Sequence, residues 1–520
     1  MKLPLATALL AYAAPLANAQ ETLVETGMDV PGLGEVGIVT DVEGEAGEGW
    51  LAQCACEDGQ ALIRDGAAWV KAGDPLPQPA GAAFLVGRGL FDEQGRLAWS
   101  ALYGNLGQPG SGLYFEGTAL RWSGAPCAAP EAAPGTTYAA LTLTDVAGPG
   151  TSAVVAELSE GGSANAAVVL LRVDGAGALA SESIALRAGD QPPGLPAPIA
   201  GFGEVAVNAQ EDVLAELEYA GPGGVEEALC LNDALLARTG EAAPVAGSIW
   251  LALGSPRLND AGQHAYQGTL TDGVSAAWAL VRDGALFARE GDVLADVAPY
   301  ALVDPLANEG SYDLAGDGRL VWIGRWSAPA DNVGLFVDET LYLQAGVSQV
   351  NGRAVASFGA PYVDPGGQTV SIQLSLDDGT TGAYRFGLSG SVIEIPGCTS
   401  IPGALKQGGG SPAALDTLVF ELDQAQSVGA ISVLAVSIGP AVAPCGAFVP
   451  GIGEVLIDLA PPSPALSLGG PQWPGGPIQI AVPVPPETGV TLAAQGLFLD
   501  PAAFGEPIRL TNALEILVGL

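Results

Sequence analysis

The sequence predicts an all-β chain: a seven-bladed β-propeller of four-stranded blades, followed by a C-terminal β-sandwich. Three observations carry this expectation. A hairpin pattern recurs along residues 20–396, a turn pattern recurs between the hairpins, and neither continues beyond residue 397. Gly (74) and Pro (40) punctuate short runs rich in Val, Leu and Thr, which reads as many strands joined by tight turns. At 48% hydrophobic residues the chain is too apolar to be disordered.

The first element is the leader MKLPLATALLAYAAPLANAQ. Lys2 is its basic end, Leu3 to Leu16 is mostly apolar, and Ala17-Asn18-Ala19 is a small-x-small cleavage pattern. Residues 1–19 are therefore expected to be a signal peptide, since the apolar run is short for a bilayer span. No other run is long enough to cross a membrane. The mature protein is expected to be secreted, extracellular or on the cell surface, with no membrane span and as a monomer.

Residues 20–396 form the expected propeller. LIRDGAAWVKAGD (62–74) and LVRDGALFAREGD (280–292) each read as strand, Asp-Gly turn, strand. Asp-Gly supplies the positive φ that a two-residue hairpin turn needs. Looser copies begin at Tyr114, Leu170, Leu229 and Leu335. Between hairpins comes the second pattern: LNDAGQHAYQG with Asn259, Gly262 and Tyr266; LFDEQGRLAWS with Asp92, Gly95 and Trp99; LAGDGRLVWIG with Gly318 and Trp322. Weaker copies offer Asp364 with Gly367, Asn208 with Glu211 in the glycine place, Asp145 with Gly148, and Gly47. The seven anchors, Gly47, Gly95, Gly148, Glu211, Gly262, Gly318 and Gly367, lie 48 to 63 residues apart. In the unit at 241–291 the strands are SIWLALG, HAYQGTL, AAWALVRD and ALFARE. A period near 50 with four strands per unit is that of a propeller blade, although a solenoid or two sandwiches share the period. ETLVETGMD (21–29) looks like a spare fourth strand able to close the ring and remove exposed edges.

Asn259-x-x-Gly262-x-x-x-Tyr266, with GSP before it and AREGD after it, resembles the tandem NxxGxxxF repeat of secreted bacterial proteins with exchangeable C-terminal anchoring or sorting modules. The resemblance covers roughly residues 21 to 396. It implies no catalytic residues.

Residues 397–520 form a separate expected sandwich, with strand-like runs TLVFELD, ISVLAVSIG, GEVLIDLA, IQIAVPVP, VTLAAQGLFLD and ALEILVGL. Cys398 and Cys445 are the only cysteines in this part and are expected to pair as a disulfide. The segment resembles a C-terminal module of many secreted bacterial proteins through Gly397-Cys398, Cys445-Gly446, Pro471-x-Trp473-Pro474, the Pro483–Pro486 run, Gln495-Gly496 and Thr511-Asn512. The resemblance implies export or surface association and the same bridge. Cys54, Cys56, Cys127 and Cys230 could form two more bridges, with partners left open.

A formal charge of −39 makes nucleic acid and anionic lipid poor partners. Partners are expected among extracellular proteins or glycans. His264 is the only histidine, so a charge-relay hydrolase would have to use it as base. Sister units hold Leu97, Leu320 and Thr369 at its place, which reads as an ordinary strand position. Gly32-x-Gly34-x-x-Gly37 lacks the following helix that nucleotide binding requires. Calcium is a minor expectation at the acidic turns of Asp317, Asp377 and Asp378, where Asp-Gly turn chemistry is the plainer reading. No cofactor is otherwise expected. The expected role is a non-catalytic binding or scaffold protein. The rival is an extracellular hydrolase or lyase acting on polysaccharide through acids at the channel mouth.

Overall fold

The computed structural model describes residues 20–44, 49–57, 59–105, 108–160, 163–303, 311–328, 332–388, 391–395, 404–409, 417–423, 431–438, 447–449, 453–457, 465–472, 478–484, 491–499 and 508–517. The leader at 1–19, the anchor Gly47 and the Cys398–Cys445 pair lie outside them. Among the described residues the regular elements are strands, with a single 3-10 turn at Ala295–Val297. The chain divides into two compact units, Thr22–Ser348 with Arg353–Arg385, and Phe386–Leu520 with two short segments.

The larger unit contains seven antiparallel sheets of four or five strands, laid down in chain order. Their first strands are Gly34–Gly44, Gly81–Phe91, Thr137–Ala147, Ile199–Val207, Ile249–Leu258, Tyr312–Leu314 and Arg353–Val363. Each first strand packs on that of the next sheet, and the seventh packs on the first. The order is therefore cyclic, and the fold is a β-propeller with the first strands innermost.

The two Asp-Gly hairpins owe their form to backbone sterics. Asp65 and Gly66 have φ of 49° and 79°, and Asp283 and Gly284 have 50° and 74°. Two successive left-handed residues give the turn whose twist matches that of the strands it joins. Apolar side chains alternate along each strand, so each sheet has two faces to bury. Leu51 and Leu62 meet Phe91, Trp99 and Tyr114 between the first and second sheets. Tyr138 and Val154 meet Leu113 and Phe115 between the second and third. Each such side chain contributes roughly 1.5–3 kcal/mol on full burial.

The seventh sheet draws its outermost strand from the other end of the chain. Gln20–Glu25 pairs with Thr381–Gly387. Thr26 N–H donates to Thr381 O at 2.8 Å, and Tyr384 Oη donates to Glu25 at 2.8 Å. Leu23 and Val24 join Ala383 in one core with Val36, Trp50 and Ile63 of the first sheet. The spare strand is thus the closing strand.

The smaller unit is a sandwich. Five strands, Ser391–Ile395, Ile508–Leu517, Thr491–Leu499, Ile431–Ile438 and Ala465–Gln472, form one sheet, and Leu405–Gly409, Thr417–Leu422 and Ile478–Pro483 form another. Leu405, Phe420 and Ile478 share one core with Leu434, Phe498 and Ile516. Gln495 and Asn512 are buried and fully engaged. Gln495 donates to Glu454 O and Thr511 O and accepts from Leu456 N–H, and Asn512 both donates to and accepts from the Leu405 backbone. Of the residues that carry the module resemblance, Gln495, Thr511 and Asn512 thus belong to an internal polar frame.

Candidate functional site

The loops joining first to second strands share a side-chain design. Asn259 Oδ1 accepts the N–H groups of Ala261 and Gln263 at 3.1 and 2.9 Å. Asn208 does the same for Gln210 and Asp212, and Asp92 for Gln94 and Arg96. The side chain thereby satisfies donors that the tight loop leaves without a ladder partner. Gly262 sits at φ 77°, which an L side chain rarely adopts. Glu211 takes the same conformation at φ 65° and pairs with Arg172 of the preceding sheet. That strain costs about 1–2 kcal/mol, which the charge-assisted pair offsets in part.

Asn and Asp differ at this place in what their second side-chain atom reaches. Asn259 Nδ2 donates to Ala315 O at 2.9 Å, in the loop of the next sheet, and Asn208 Nδ2 reaches Asn259 O at 3.4 Å. Asp92 instead holds Arg96 Nε at 2.8 Å. Asn259→Asp is expected to lower stability by about 1–3 kcal/mol, because it sets a carboxylate oxygen against the Ala315 carbonyl. Urea unfolding checks this, and an unmoved midpoint would show that the inter-loop bond contributes nothing.

Trp99 and Trp322 are buried and stack on Tyr114 and Phe336 at 4.3 and 4.7 Å. Their indole N–H groups donate to Glu116 O and Asp338 O in the hairpin turns of their own sheets. Tyr266 is buried against Trp250. His264 begins the strand His264–Thr271, where its N–H donates to Asp283 Oδ1 and its ring lies parallel to Tyr266. Burial lowers its pKa. It does not line the central cavity.

That cavity holds most of the chemistry. Residues from the first strands of all seven sheets, with the loops that follow several of them, line a space of about 480 Å³. Asp41 and Glu43 come from the first sheet, Arg88 from the second, Asp145 from the third, Glu204 from the fourth, Arg257 from the fifth, Asp313 from the sixth and Tyr362 from the seventh. Arg88 Nη2 donates to Glu43 Oε1 at 3.3 Å and Nη1 to Thr144 O at 3.0 Å. Arg257 Nη1 donates to Glu204 Oε2 at 3.3 Å.

Asp145 and Asp313 are set in a common way. Each accepts the next residue's N–H on one oxygen and an N–H of the following sheet on the other: Val207 for Asp145, Val363 for Asp313, both at 2.8 Å. Asp145 matches the turn pattern in sequence, yet it lies in the strand Thr137–Ala147 and faces the cavity. The loop after it spans only 148–150, so the aspartate falls short of the turn.

Burial, opposed by Arg88 and helped by Asp41 and Asp313, pushes the Glu43 carboxyl up to about 8. The enclosed partner dominates this pair: the Glu43 side chain is 7% exposed, whereas Arg88 leaves 46% to the wet cavity, where water screens it. Burial also raises Asp145 to about 6. At the mouth Glu93 of the second sheet meets Asp260 of the fifth. Their shared hydrogen bond, with desolvation, pushes Glu93 up to about 7.

The four described cysteines, Cys54, Cys56, Cys127 and Cys230, carry free thiols. The two further bridges open to them in sequence are therefore not formed, although the sulfurs of Cys54 and Cys56 lie 3.2 Å apart. The acidic turns already hold cationic side chains. Asp317 takes Arg319 N–H and Nε, and Asp378 pairs with Arg353. Among the described residues no group of three or more His, Cys, Asp or Glu is placed to hold a metal ion, and no helix is long and apolar enough to cross a membrane.

The fold and site define a β-propeller with a charged central cavity. No family model matches the chain, and no curated protein matches it. Among solved structures it is similar to dihydro-heme d1 dehydrogenase NirN at 10% identity and TM-score 0.31, over 79% of this chain and 71% of that one. It is also similar to prolyl oligopeptidase B from Galerina marginata at 9% identity and TM-score 0.35, over 79% of this chain and 56% of that one. A subtype N10 neuraminidase-like protein of A/little yellow-shouldered bat/Guatemala aligns at 10% identity and TM-score 0.23, over 70% of this chain and 98% of that one.

Proposed function

We propose that the chain is an exported, non-catalytic binding protein, acting outside the cell or at its surface, with its ligand site in the central cavity. One observation carries this reading. Two of the cavity's aspartates, Asp145 and Asp313, commit both oxygens to backbone N–H groups of adjacent strands. They serve as ties of a preformed frame, which suits a binding site. The resemblance to secreted repeat proteins with sorting modules agrees with export, and the C-terminal sandwich would serve surface retention or a further contact. Extracellular glycan or protein is the expected partner class.

A second reading, a polysaccharide hydrolase or lyase, is favoured by the convergence of Asp, Glu, Arg and Tyr in one cavity. Glu43 and Asp145 are also held at different ionisations, about 8 and about 6, the division that acid–base pairs exploit. A glycan-binding screen run beside a polysaccharide turnover assay separates the two. Binding without turnover is the expected result. Turnover that Glu43→Gln abolishes would establish the enzyme instead.

A further inference from the structure

We infer that the cavity takes a ligand bearing a primary or secondary ammonium group, seated on Glu43. This rests on the cavity being the binding site. Glu43 is 5% exposed, and its Oε1 meets Arg88. Its Oε2 is enclosed and has no hydrogen-bond partner among the described residues, and Glu43 lines the same cavity. Once Glu43 is ionised, this buried oxygen without a donor is costly, so the partner it then lacks is a hydrogen-bond donor.

Charge narrows the class of donor. Seven carboxylates line the cavity and its mouth against two arginines. Both arginines are engaged, Arg88 with Glu43 and Thr144 O, and Arg257 with Glu204 and Pro256 O. They leave the excess negative charge standing, and a hydroxyl donor would not relieve it. An ammonium N–H supplies both the missing bond and the missing charge. A quaternary ammonium supplies only the charge. Free polyamines and amino-sugar chains share the required chemistry.

Isothermal titration of the whole mature chain at pH 8 and moderate salt tests this. The arms are spermidine, a chitosan oligosaccharide, its fully N-acetylated counterpart, choline and citrate. One site per chain is expected for at least one of the two amines, with the acetylated sugar and choline at least tenfold weaker. Spermidine without chitosan assigns a free polyamine, and the reverse assigns an amino sugar. Glu43→Gln should weaken the amine at least tenfold, and Glu43→Asp should weaken it less. Glu290→Gln, an exposed acid distant in sequence from the cavity residues, should leave it unchanged. Binding of citrate or the acetylated sugar without either amine overturns the inference and leaves the binding site standing. Amine binding unaltered in a folded Glu43→Gln chain overturns the inference as well. Silence in every arm, in a chain shown to be folded, counts against both.

Discussion

A chain beginning at Thr26 is expected to self-associate and to unfold at much lower denaturant than one beginning at Gln20. The missing segment is the outermost strand of the seventh sheet, and its loss leaves Thr381–Gly387 as an open edge. Unpaired edges of this kind recruit other chains. The truncation also removes Leu23 and Val24, which are 5% and 1% exposed, from the core shared with the first sheet. Those two side chains alone contribute roughly 3–6 kcal/mol at the usual scale for full burial. Glu25 leaves with them, so Tyr384 and Arg353 lose a partner. Light scattering and urea unfolding check the prediction. A monomer with an unmoved midpoint would mean that the ring does not depend on this clasp.

The second large effect is a fall in stability as pH rises, traceable to Glu43. The folded chain keeps its proton up to about pH 8, whereas the unfolded glutamate releases it near 4.5. Between those values the folded state binds the extra proton, so raising the pH favours unfolding. The contribution is fully present below pH 4.5, declines through the interval and is gone above 8. Its size is about 3–5 kcal/mol at 1.36 kcal/mol per pH unit. Asp41 of its own strand, Arg88, Asp313 and Tyr362 face the group and set this balance. Asp145 adds a smaller effect of the same sign between its ordinary 3.8 and about 6. Glu43→Gln removes the first effect while keeping the shape. Its stability relative to the parent chain should therefore rise steadily from pH 5 to 8. A difference that stays constant across that range would show Glu43 to be ionised throughout.

Sequence revealed the parts of the fold that depend on local backbone chemistry. Gly262 and Gly318 stand out because their φ admits few other residues, and Asp-Gly marks the hairpins for the same reason. The closing strand was legible because one strand was spare at one end and one was wanting at the other. The cavity was not legible. Arg88, Glu204 and Arg257 occupy unremarkable places in three different repeats, and only the ring brings them together. Asp145 was disguised by an Asp-x-x-Gly spacing that a shorter loop converts into a strand position. Arg64 and Arg282 also escaped notice. Each ends a third strand and reaches into the next sheet, Arg64 to Gly95 O and Glu116, Arg282 to Gly318 O and Asp338. Their targets lie 31 to 56 residues ahead, beyond any local pattern.

The clasp of the seventh sheet also sets an order of events. Thr26 and Thr381 are hydrogen-bonded across 355 residues of chain. Local hairpins can form early, but this contact carries the loop-closure entropy of nearly the whole propeller. Folding slows as contacts become more distant in sequence. Docking of the first strand is therefore expected to be the last and slowest step of folding. Until it occurs, a nascent chain carries Leu23 and Val24 exposed at one end and an unpaired edge at the other. The interval before docking is when the protein most needs a holding chaperone.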